Sequence, residues 1–173
     1  LPIIVLRQSN VSGWDRVFKR IFDLFVAVCS ILVVFPLWII IPILIKLTSK
    51  GPIFFKQERM GLDGKSFQML KFRSMRIDAE AKTGAVWAKK GDNRTTTIGA
   101  FLRKTSLDEI PQLFNVIQGT MSIVGPRPER PVFIAEFKKQ IPNYMLRHKM
   151  KAGITGWAQI NGWRGNTSLE KRI

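Results

Sequence analysis

Apolar positions are gathered in one long run near the start of the chain. Residues 24–45 are 22 consecutive residues without a charge, and a helix needs about 20 apolar residues to cross the hydrocarbon core of a bilayer. Pro36 lies near the middle of the run. A proline inside a helix removes a backbone hydrogen bond and clashes with the preceding turn, so it bends the helix. The pattern therefore predicts an apolar helix that is broken at Pro36.

Basic residues flank both ends of this run. They are Arg16, Lys19 and Arg20 before it, and Lys46, Lys50, Lys56 and Arg59 after it. Because the positive-inside tendency disfavours translocation of either flank, we favour a re-entrant helix that enters the membrane, bends and leaves on the same side. A straight spanning helix that tolerates its proline and a buried helix of a soluble core stay open as alternatives. A signal peptide is disfavoured, because the run is too long and no small-residue cleavage site follows.

Beyond the run, the pattern changes to short elements. Residues 53–58 and 66–73 alternate and are rich in Phe, and Asp63-Gly64 lies between them, which predicts a β-hairpin. The remaining predicted elements are helices over 77–82, 98–103, 106–119 and 129–140, a strand over 121–124, and a loop over 83–96. Residues 152–166 are rich in glycine and contain Trp157 and Trp163. We therefore predict an α/β membrane-associated (monotopic) fold with interfacial amphipathic helices and a small sheet.

This reading divides the chain into three regions. Residues 1–13 are interpreted as a linker or the end of a preceding region, and residues 14–50 as an interfacial segment followed by the re-entrant helix. Residues 51–173 are the predicted catalytic domain on the cytoplasmic face. Because the chain begins at Leu1 and stops at Ile173 without an obvious ending, we expect it to be a piece of a larger protein.

The net charge limits the kinds of molecule that this chain is expected to bind. With 28 Lys and Arg against 12 Asp and Glu, the net charge of +16 calls for an anionic partner: acidic lipid headgroups, phosphorylated substrates or nucleic acid. Nucleic acid is disfavoured because the same domain carries a lipid-buried run. Cys29 and His148 are each the single residue of their type, which excludes an internal disulfide and gives little support to a zinc site or a His-based triad.

The acidic pair Asp108-Glu109 is the first candidate for chemistry. Ser106 stands three residues before Glu109, a spacing that fits a capping box in which both side chains satisfy the start of a helix. Two adjacent acids after Arg103 and Lys104 can instead hold a metal, and a carboxylate can attack phosphorus to form an acyl phosphate. At this point both interpretations remain open, and they can coexist.

Basic residues in two other segments are the second candidate for chemistry. In Gly125-Pro126-Arg127-Pro128, two prolines hold the backbone around an arginine whose planar fork suits phosphate oxygens, although a rigid surface turn has the same sequence. Lys71-Phe72-Arg73, at the end of the predicted hairpin, is equally ambiguous by itself. The chain has no glycine-rich phosphate loop of the Walker or dinucleotide type, which disfavours ATPases, kinases and dehydrogenases.

These segments, taken in their order along the chain, resemble those of a known protein family. Residues 71–75, 103–112 and 121–128 together resemble the bacterial sugar transferase family, the monotopic polyprenyl-phosphate phosphoglycosyl transferases. Residues 151–162 are similar to the same family's glycine-rich stretch, and the resemblance covers residues 17–172. The stretch Gly162-Trp163-Arg164-Gly165 looks most like the glucose-1-phosphate transferases of colanic-acid and other exopolysaccharide pathways.

The resemblance implies a reaction and roles for particular residues. Such enzymes transfer a sugar 1-phosphate, here expected to be glucose 1-phosphate, from a UDP-sugar to undecaprenyl phosphate and release UMP. Asp108 matches the nucleophile that forms a phospho-aspartate, and Glu109 matches the second acid, with the pair expected to bind Mg²⁺. The cations that match phosphate-binding positions are Lys71, Arg73, Arg103 and Arg127. Alternatives are a galactose or N-acetyl sugar donor, or a non-catalytic module that binds lipid phosphates.

The resemblance also implies a location and partners. We expect the bacterial inner membrane with the active site on its cytoplasmic face, contacts with anionic lipids, and no nucleic acid; a homo-oligomer stays open. The sequence departs from the family pattern at Phe35, which precedes Pro36 where the family often has Ser, and at Lys50, which replaces the first proline of Pro-Gly-Pro. It also ends where the family continues into a further interfacial segment.

Overall fold

The computed structural model describes residues 13–81, 84 and 92–163. The predicted linker and the final residues lie outside these ranges, as does most of the predicted loop 83–96. The described helices are α1 (Trp14–Val33), α2 (Phe35–Thr48), α3 (Thr97–Thr105), α4 (Gln112–Gln118), α5 (Pro131–Gln140) and α6 (Trp157–Ile160). The described strands are β1 (Phe54–Met60), β2 (Ser66–Phe72), β3 (Ser122–Val124) and β4 (Gly153–Thr155). This mixture of helices with small sheets is compatible with the predicted α/β class.

The long apolar run forms two helices rather than one. Helix α1 ends at Val33 and α2 begins at Phe35, with Pro36 in its first turn, and the two axes are bent by 63°. Because Pro36 has no N–H, the hydrogen-bond ladder cannot continue to the carbonyl of Leu32. The N–H of Leu37 instead bonds the carbonyl of Val34 at 2.9 Å and starts the new helix. Among the described helices none alone has the length and apolar character to cross a membrane, but this bent pair has them together.

Helix α1 carries its apolar face outward. The exposed stripe consists of Trp14, Phe18, Ile21, Phe25, Val28 and Leu32, which recur every three or four residues. On the opposite face, Asp23 and Ala27 are buried against the rest of the protein. A helix of a water-soluble domain has the reverse arrangement, with apolar residues inward and polar residues in solvent.

Two small sheets and the remaining helices form the body. Strands β1 and β2 pair antiparallel with Phe54 opposite Phe72, and Asp63-Gly64 lies in the connecting turn with positive φ at both residues, so the predicted hairpin is confirmed. Strand β3 is also confirmed, and it pairs in parallel with β4 across the connection that contains α5. Sequence reasoning missed β4, because three residues within a glycine-rich segment show no periodicity.

The body encloses three apolar clusters, and the apolar helix pair contributes to two of them. Ala27 of α1 packs with Met69 of β2 and Val116 of α4, while Ile41 and Ile45 of α2 pack with Phe72 and Leu102. The third cluster comprises Ile134, Phe137 and Tyr144. Helices α1 and α2 therefore each bury one face in the interior of the body.

One predicted helix is wrong. Residues 77–81 form successive turns, with the N–H of Ala79 bonded to Arg76 and the N–H of Ala81 bonded to Asp78. A helix of only six residues gains too few backbone hydrogen bonds to offset the entropy of its first turn.

Candidate active site

The segment that carries the acidic pair is a tight turn and not the start of a helix. Leu107–Glu109 form one turn of 3₁₀-helix, and α4 begins only at Gln112. Ser106 ends α3 in the left-handed region at φ 59° and makes no capping hydrogen bond through its side chain. The predicted helix over 106–119 and its capping box are therefore wrong at their N-terminal end, although the helix stops at Gly119 as predicted.

This turn points both acids towards the end of the hairpin. The ammonium Nζ of Lys71 lies 2.7 Å from Oε1 of Glu109 and 3.7 Å from Oδ2 of Asp108. Arg127 adds a second cation, because its Nη2 is 3.4 Å from the same oxygen of Glu109. Glu109 therefore lies between two cations, while Asp108, within the described ranges, forms the longer ion pair with Lys71 alone.

Asp108 is buried, with 6% of its surface exposed. Burial raises the pKa of its carboxyl above the ordinary range, because the charged form loses hydration. The charge of Lys71 opposes this shift, that of Glu109 adds to it, and Arg103 and Arg127 lower the pKa to a smaller extent. The site thus holds a poorly hydrated carboxylate that depends on nearby cations to stay ionised.

The proline-flanked loop that presents Arg127 is held by two arginines that sequence reasoning missed. Arg59 donates from Nη1 to the carbonyl of Pro128 at 3.1 Å, and Arg147 donates from Nη2 to the carbonyl of Arg127 at 3.0 Å. Burial lowers the pKa of Arg59 to about 10, with the neighbouring positive charges of Arg127 and Arg130 adding to this effect and Glu129 opposing it. Both arginines position the loop through its backbone.

Asn115 joins the acidic turn to the strand that carries Lys71. Its Oδ1 accepts a hydrogen bond from the N–H of Leu70 at 2.9 Å, and its Nδ2 donates to the carbonyl of Gln68 at 2.8 Å. These bonds hold the edge of β2 against α4. Sequence reasoning missed this residue, although an asparagine among the apolar residues of α4 was a usable signal.

Of the four predicted phosphate-binding cations, Arg73 lies in a different setting. Its guanidinium donates to the carbonyls of Lys50 and Ser49, at 2.7 and 2.9 Å, and to Oγ of Ser49 at 2.6 Å. It is 5% exposed. Arg73 therefore joins the end of α2 to the hairpin, because the unpaired carbonyls at a helix C-terminus attract a cation. Its predicted phosphate-binding role stays a prediction.

The other three cations are close to the acidic pair. Lys71 and Arg127 contact the carboxylates directly, whereas Arg103, in the last turn of α3, acts on Asp108 through its charge. The structure thus brings together residues that are up to 56 positions apart in the sequence. The resulting site places two carboxylates among three cations.

The donor set can be compared with the requirements of Mg²⁺. Within the described ranges, no group of three His, Cys, Asp or Glu side chains could hold a metal ion. Asp108 and Glu109 supply two carboxylates, and Mg²⁺ in phosphoryl-transfer sites is usually held by one or two carboxylates together with substrate phosphates. The residues present therefore fit Mg²⁺ that arrives with a diphosphate.

The sequence matches a family and its curated members over almost its whole length. The profile of a family described as "Bacterial sugar transferase" matches residues 14–173. A UDP-glucose:undecaprenyl-phosphate glucose-1-phosphate transferase from Klebsiella pneumoniae is 47% identical over all of this chain, and the chain spans 38% of that protein.

Two further relatives differ in their names. A UDP-N-acetylgalactosamine-undecaprenyl-phosphate N-acetylgalactosaminephosphotransferase from Aeromonas hydrophila is 46% identical over 82% of the chain, which spans 33% of that protein. The exopolysaccharide production protein PSS from Rhizobium leguminosarum bv. phaseoli is 45% identical over 88% of the chain, which spans 78% of that protein. The similarity therefore extends across relatives named for different sugars.

Proposed function

Because this chain belongs to the bacterial sugar transferase family, we propose that it transfers glucose 1-phosphate from UDP-glucose to undecaprenyl phosphate. Relatives named for undecaprenyl-phosphate sugar transfer support this assignment. The observation that carries it is the setting of Asp108, a carboxylate with 6% exposure that lies 3.7 Å from Lys71. A buried carboxylate beside a cation is suited to receiving a phosphoryl group.

In the first step Asp108 is the proposed nucleophile. One of its oxygens attacks the phosphorus that bears the sugar, the bond from that phosphorus to the bridging oxygen breaks, and UMP leaves. Because Asp108 is buried, little water must be displaced from its carboxylate before the attack. Lys71 and Arg127 lie beside the acidic pair and would neutralise negative charge on the phosphoryl oxygens.

In the second step undecaprenyl phosphate is the proposed acceptor. Its phosphate oxygen attacks the same phosphorus, the acyl phosphate bond breaks, and the carboxylate of Asp108 is regenerated. The product is an undecaprenyl diphosphate sugar, a suitable start for an exopolysaccharide or capsule repeat unit. A covalent intermediate divides one difficult displacement into two easier ones.

Mg²⁺ is the proposed cofactor. Asp108 and Glu109 would hold the ion, together with the diphosphate of the substrate. When bound, Mg²⁺ supplies positive charge that stabilises the transferring phosphoryl oxygens. Glu109 is paired with Lys71 and Arg127, so both cations would lie next to the phosphate oxygens of a substrate bound at this carboxylate.

The bent helix pair is the proposed membrane anchor, re-entering on the cytoplasmic face of the inner membrane. Its support is the outward apolar stripe of α1 and the exposed apolar residues of α2, which include Ile39, Ile43 and Leu47. Water would disfavour both surfaces and hydrocarbon would favour them. Charged residues flank both ends of the pair, so both ends suit the same face.

The direct test is release of UMP by the purified chain in detergent or nanodiscs, with undecaprenyl phosphate and Mg²⁺. We expect UMP from UDP-glucose, and loss of at least about a thousandfold in rate for Asp108→Asn, as for other nucleophiles. Asp63→Asn is the matched control, because Asp63 lies exposed in the turn of the hairpin and its one ion pair among the described residues is with Lys149. Undiminished turnover by Asp108→Asn would remove Asp108 as the nucleophile.

The intermediate and the sugar need separate measurements. Without acceptor, one equivalent of UMP and a mass increase on the peptide that contains Asp108 are expected. A panel that includes UDP-galactose, UDP-N-acetylgalactosamine and UDP-glucose identifies the donor, and preference for the N-acetyl sugar would place this chain with its Aeromonas relative. Membrane binding without UMP release from any donor would indicate a non-catalytic module.

A further inference from the structure

A second group of cations lies at the C-terminal end of α4, away from the acidic pair. Arg16, Lys19 and Arg20 follow one another on α1 at spacings of three and four residues, with Lys19 and Arg20 half-buried and Arg16 exposed, and Lys151 approaches from the segment before β4. A Cβ atom built on Gly119 would lie 3.6 Å from Nη2 of Arg20 and 3.7 Å from Nζ of Lys151. Arg20 and Lys151 therefore meet at Gly119, and the charges of Lys19 and Arg16 also act on Lys151; we call these four residues the interfacial cation cluster.

The acid in contact with the cluster is already committed to other partners. Asp23 is 3% exposed, and its Oδ1 lies 2.6 Å from Nζ of Lys19. The same oxygen accepts hydrogen bonds from Oγ of Ser122 and the N–H of Ile123, each at 3.1 Å. Asp23 thus neutralises Lys19 and fixes α1 to β3.

The other three cations have no carboxylate partner within the ranges the structure describes. Arg20 donates to the carbonyls of Val116 and Ile117, at 2.6 and 2.7 Å, at the negative end of α4. Neither Arg16 nor Lys151 forms an ion pair there, and the nearby acid Asp15 forms none either. The cluster therefore keeps an excess of positive charge that a bound anion would balance.

The charges around Lys151 are also mainly positive. Partial burial lowers the pKa of its ammonium group, and the positive charges of Arg20, Lys19 and Arg16 lower it further, whereas Asp23 alone raises it. A half-buried cation held among other cations is unfavourable unless an anion joins them. The site is thus prepared for a compact group with at least one negative charge and several acceptor oxygens.

The position of the cluster identifies the source of that anion. Arg16, Lys19 and Arg20 lie within the first two turns of α1, just before the charge-free run begins at residue 24. Trp14, at the start of the same helix, is 76% exposed, and tryptophan favours the headgroup region of a bilayer. If α1 enters the membrane as proposed above, the cluster lies at the depth of the lipid phosphates.

We infer that the interfacial cation cluster binds the phosphate of an anionic phospholipid headgroup, at a site distinct from the one around Asp108. The inference rests on the membrane placement proposed above and adds a specific lipid contact to it. Helix α4 separates the two sites, and its seven residues extend on the order of 10 Å. A lipid held here would fix the depth and tilt of α1 and, through Asp23, of β3.

The first experiment measures lipid preference. The full chain is floated with vesicles of phosphatidylcholine, with or without phosphatidylglycerol, and the ratio of the two partition coefficients is compared between variants. For Arg16→Gln with Lys151→Gln we expect this ratio to fall on the order of tenfold, since each cation near an anionic surface contributes to binding. Neither side chain makes a hydrogen bond within the described part of the chain, so the variant should keep its fold.

The matched control removes the same charge elsewhere. Lys65→Gln with Lys139→Gln neutralises two exposed lysines, one beside the hairpin turn and one on α5, and should lower the ratio by less than twofold. Equal losses in the two double variants would show that only net charge matters, and would overturn the inference.

The second experiment measures whether an anion binds at Lys151 itself. The rate at which its amine is acetylated is followed by mass spectrometry, with Lys65 as the internal reference. We expect phosphatidylglycerol vesicles to slow the reaction of Lys151 at least threefold relative to phosphatidylcholine vesicles, because a bound phosphate raises the pKa of the amine. If inorganic phosphate at the same concentration protects Lys151 in detergent equally well, the site takes free phosphate and the lipid assignment is wrong.

The two proposals can fail independently. Asp108→Asn should lose UMP release and keep the full preference for phosphatidylglycerol, because Asp108 is not part of the cluster. If the unmodified chain releases no UMP from any donor yet shows the lipid preference, the proposed reaction is wrong and the lipid site stands. If it releases UMP but Lys151 is not protected by either phosphate source, the lipid site is wrong and the reaction stands.

Discussion

Individual residues in the candidate active site have surroundings that lower the stability of the folded chain. Asp108 is the main case, because its burial raises the pKa of a group that the proposed reaction needs in the charged form. Glu109 is better compensated, since Lys71 and Arg127 both contact it. Such unfavourable placement of a single side chain is common where function and stability compete.

Replacing Asp108 should therefore stabilise the fold at neutral pH. Between the ordinary pKa of an aspartate and the raised pKa in the folded state, the folded chain binds a proton that the unfolded chain has released, so stability falls as pH rises through this window. Asp108→Asn removes the ionisation and should raise the free energy of unfolding by about 1 kcal/mol at neutral pH. Denaturant unfolding checks this, with the gain shrinking in acid; a destabilised variant at neutral pH would contradict it.

Lys71 should set the pH dependence of the reaction. Its charge lowers the pKa of Asp108, and the proposed nucleophile is the deprotonated form. Lys71→Gln should therefore move the acidic limb of the pH–rate profile of UMP release to higher pH, because the charge that lowers the pKa of Asp108 is removed. Arg103→Gln should move it in the same direction by less, and Lys65→Gln, on the exposed hairpin turn, should leave it in place. An unshifted limb in Lys71→Gln would separate this lysine from the ionisation of Asp108.

At the scale of elements, the site depends on close contact between α3 and the chain that follows β2. A Cβ atom on Gly99 would lie 1.9 Å from the carbonyl oxygen of Ser74, so only glycine fits at this position. The same approach is supported by the N–H of Thr96, which bonds that carbonyl at 3.1 Å. Helix α3 ends at Thr105, directly before the turn that carries Asp108. The packing of α3 against the chain that follows β2 therefore determines where the carboxylate lies.

Gly99→Ala should consequently disturb both stability and activity. The backbone oxygen of Ser74 cannot move aside easily, so we expect a loss of about 1–3 kcal/mol in the free energy of unfolding. UMP release should fall as well, because α3 would be displaced from β2. Ala100→Ser, at the exposed neighbouring position, is the control and should change neither quantity much. Unaltered thermal unfolding of Gly99→Ala would mean that the two segments can separate without strain.

The whole molecule combines an exposed apolar surface, on α1 and α2, with a group of basic side chains around Asp108 and Glu109. Helices α1 and α2 both expose apolar stripes, yet their other faces contribute Ala27, Ile41 and Ile45 to the interior. The proposed anchor is therefore part of the same folded body as the acidic pair and not a separate tether. A rigid link of this kind would hold the carboxylates at a constant depth relative to lipid phosphates.

The proposed topology predicts where introduced cysteines react. In a Cys29→Ala background, Asp15→Cys and Lys50→Cys stand at the two ends of the helix pair, and both should be labelled by a membrane-impermeant maleimide only from the cytoplasmic side. Asp63→Cys, on the exposed hairpin turn, reports the side of the body and should behave in the same way. Labelling of Asp15→Cys and Lys50→Cys from opposite sides would replace the re-entrant pair with a spanning helix.

The sequence by itself determined the features that depend on neighbouring residues: the apolar run with its proline, the hairpin with Asp-Gly in its turn, and the end of α4 at Gly119. These follow from local sterics, backbone hydrogen bonding and periodicity, and the order of the short segments was sufficient to indicate the family. The tertiary structure alone decided the contacts of Arg73 and Asn115 and the approach of Lys151 to Arg20, because each involves a segment distant in the chain. It also decided that Ser106 ends one helix instead of starting another, since the packing of α3 against the hairpin, not the local capping preference, sets that turn.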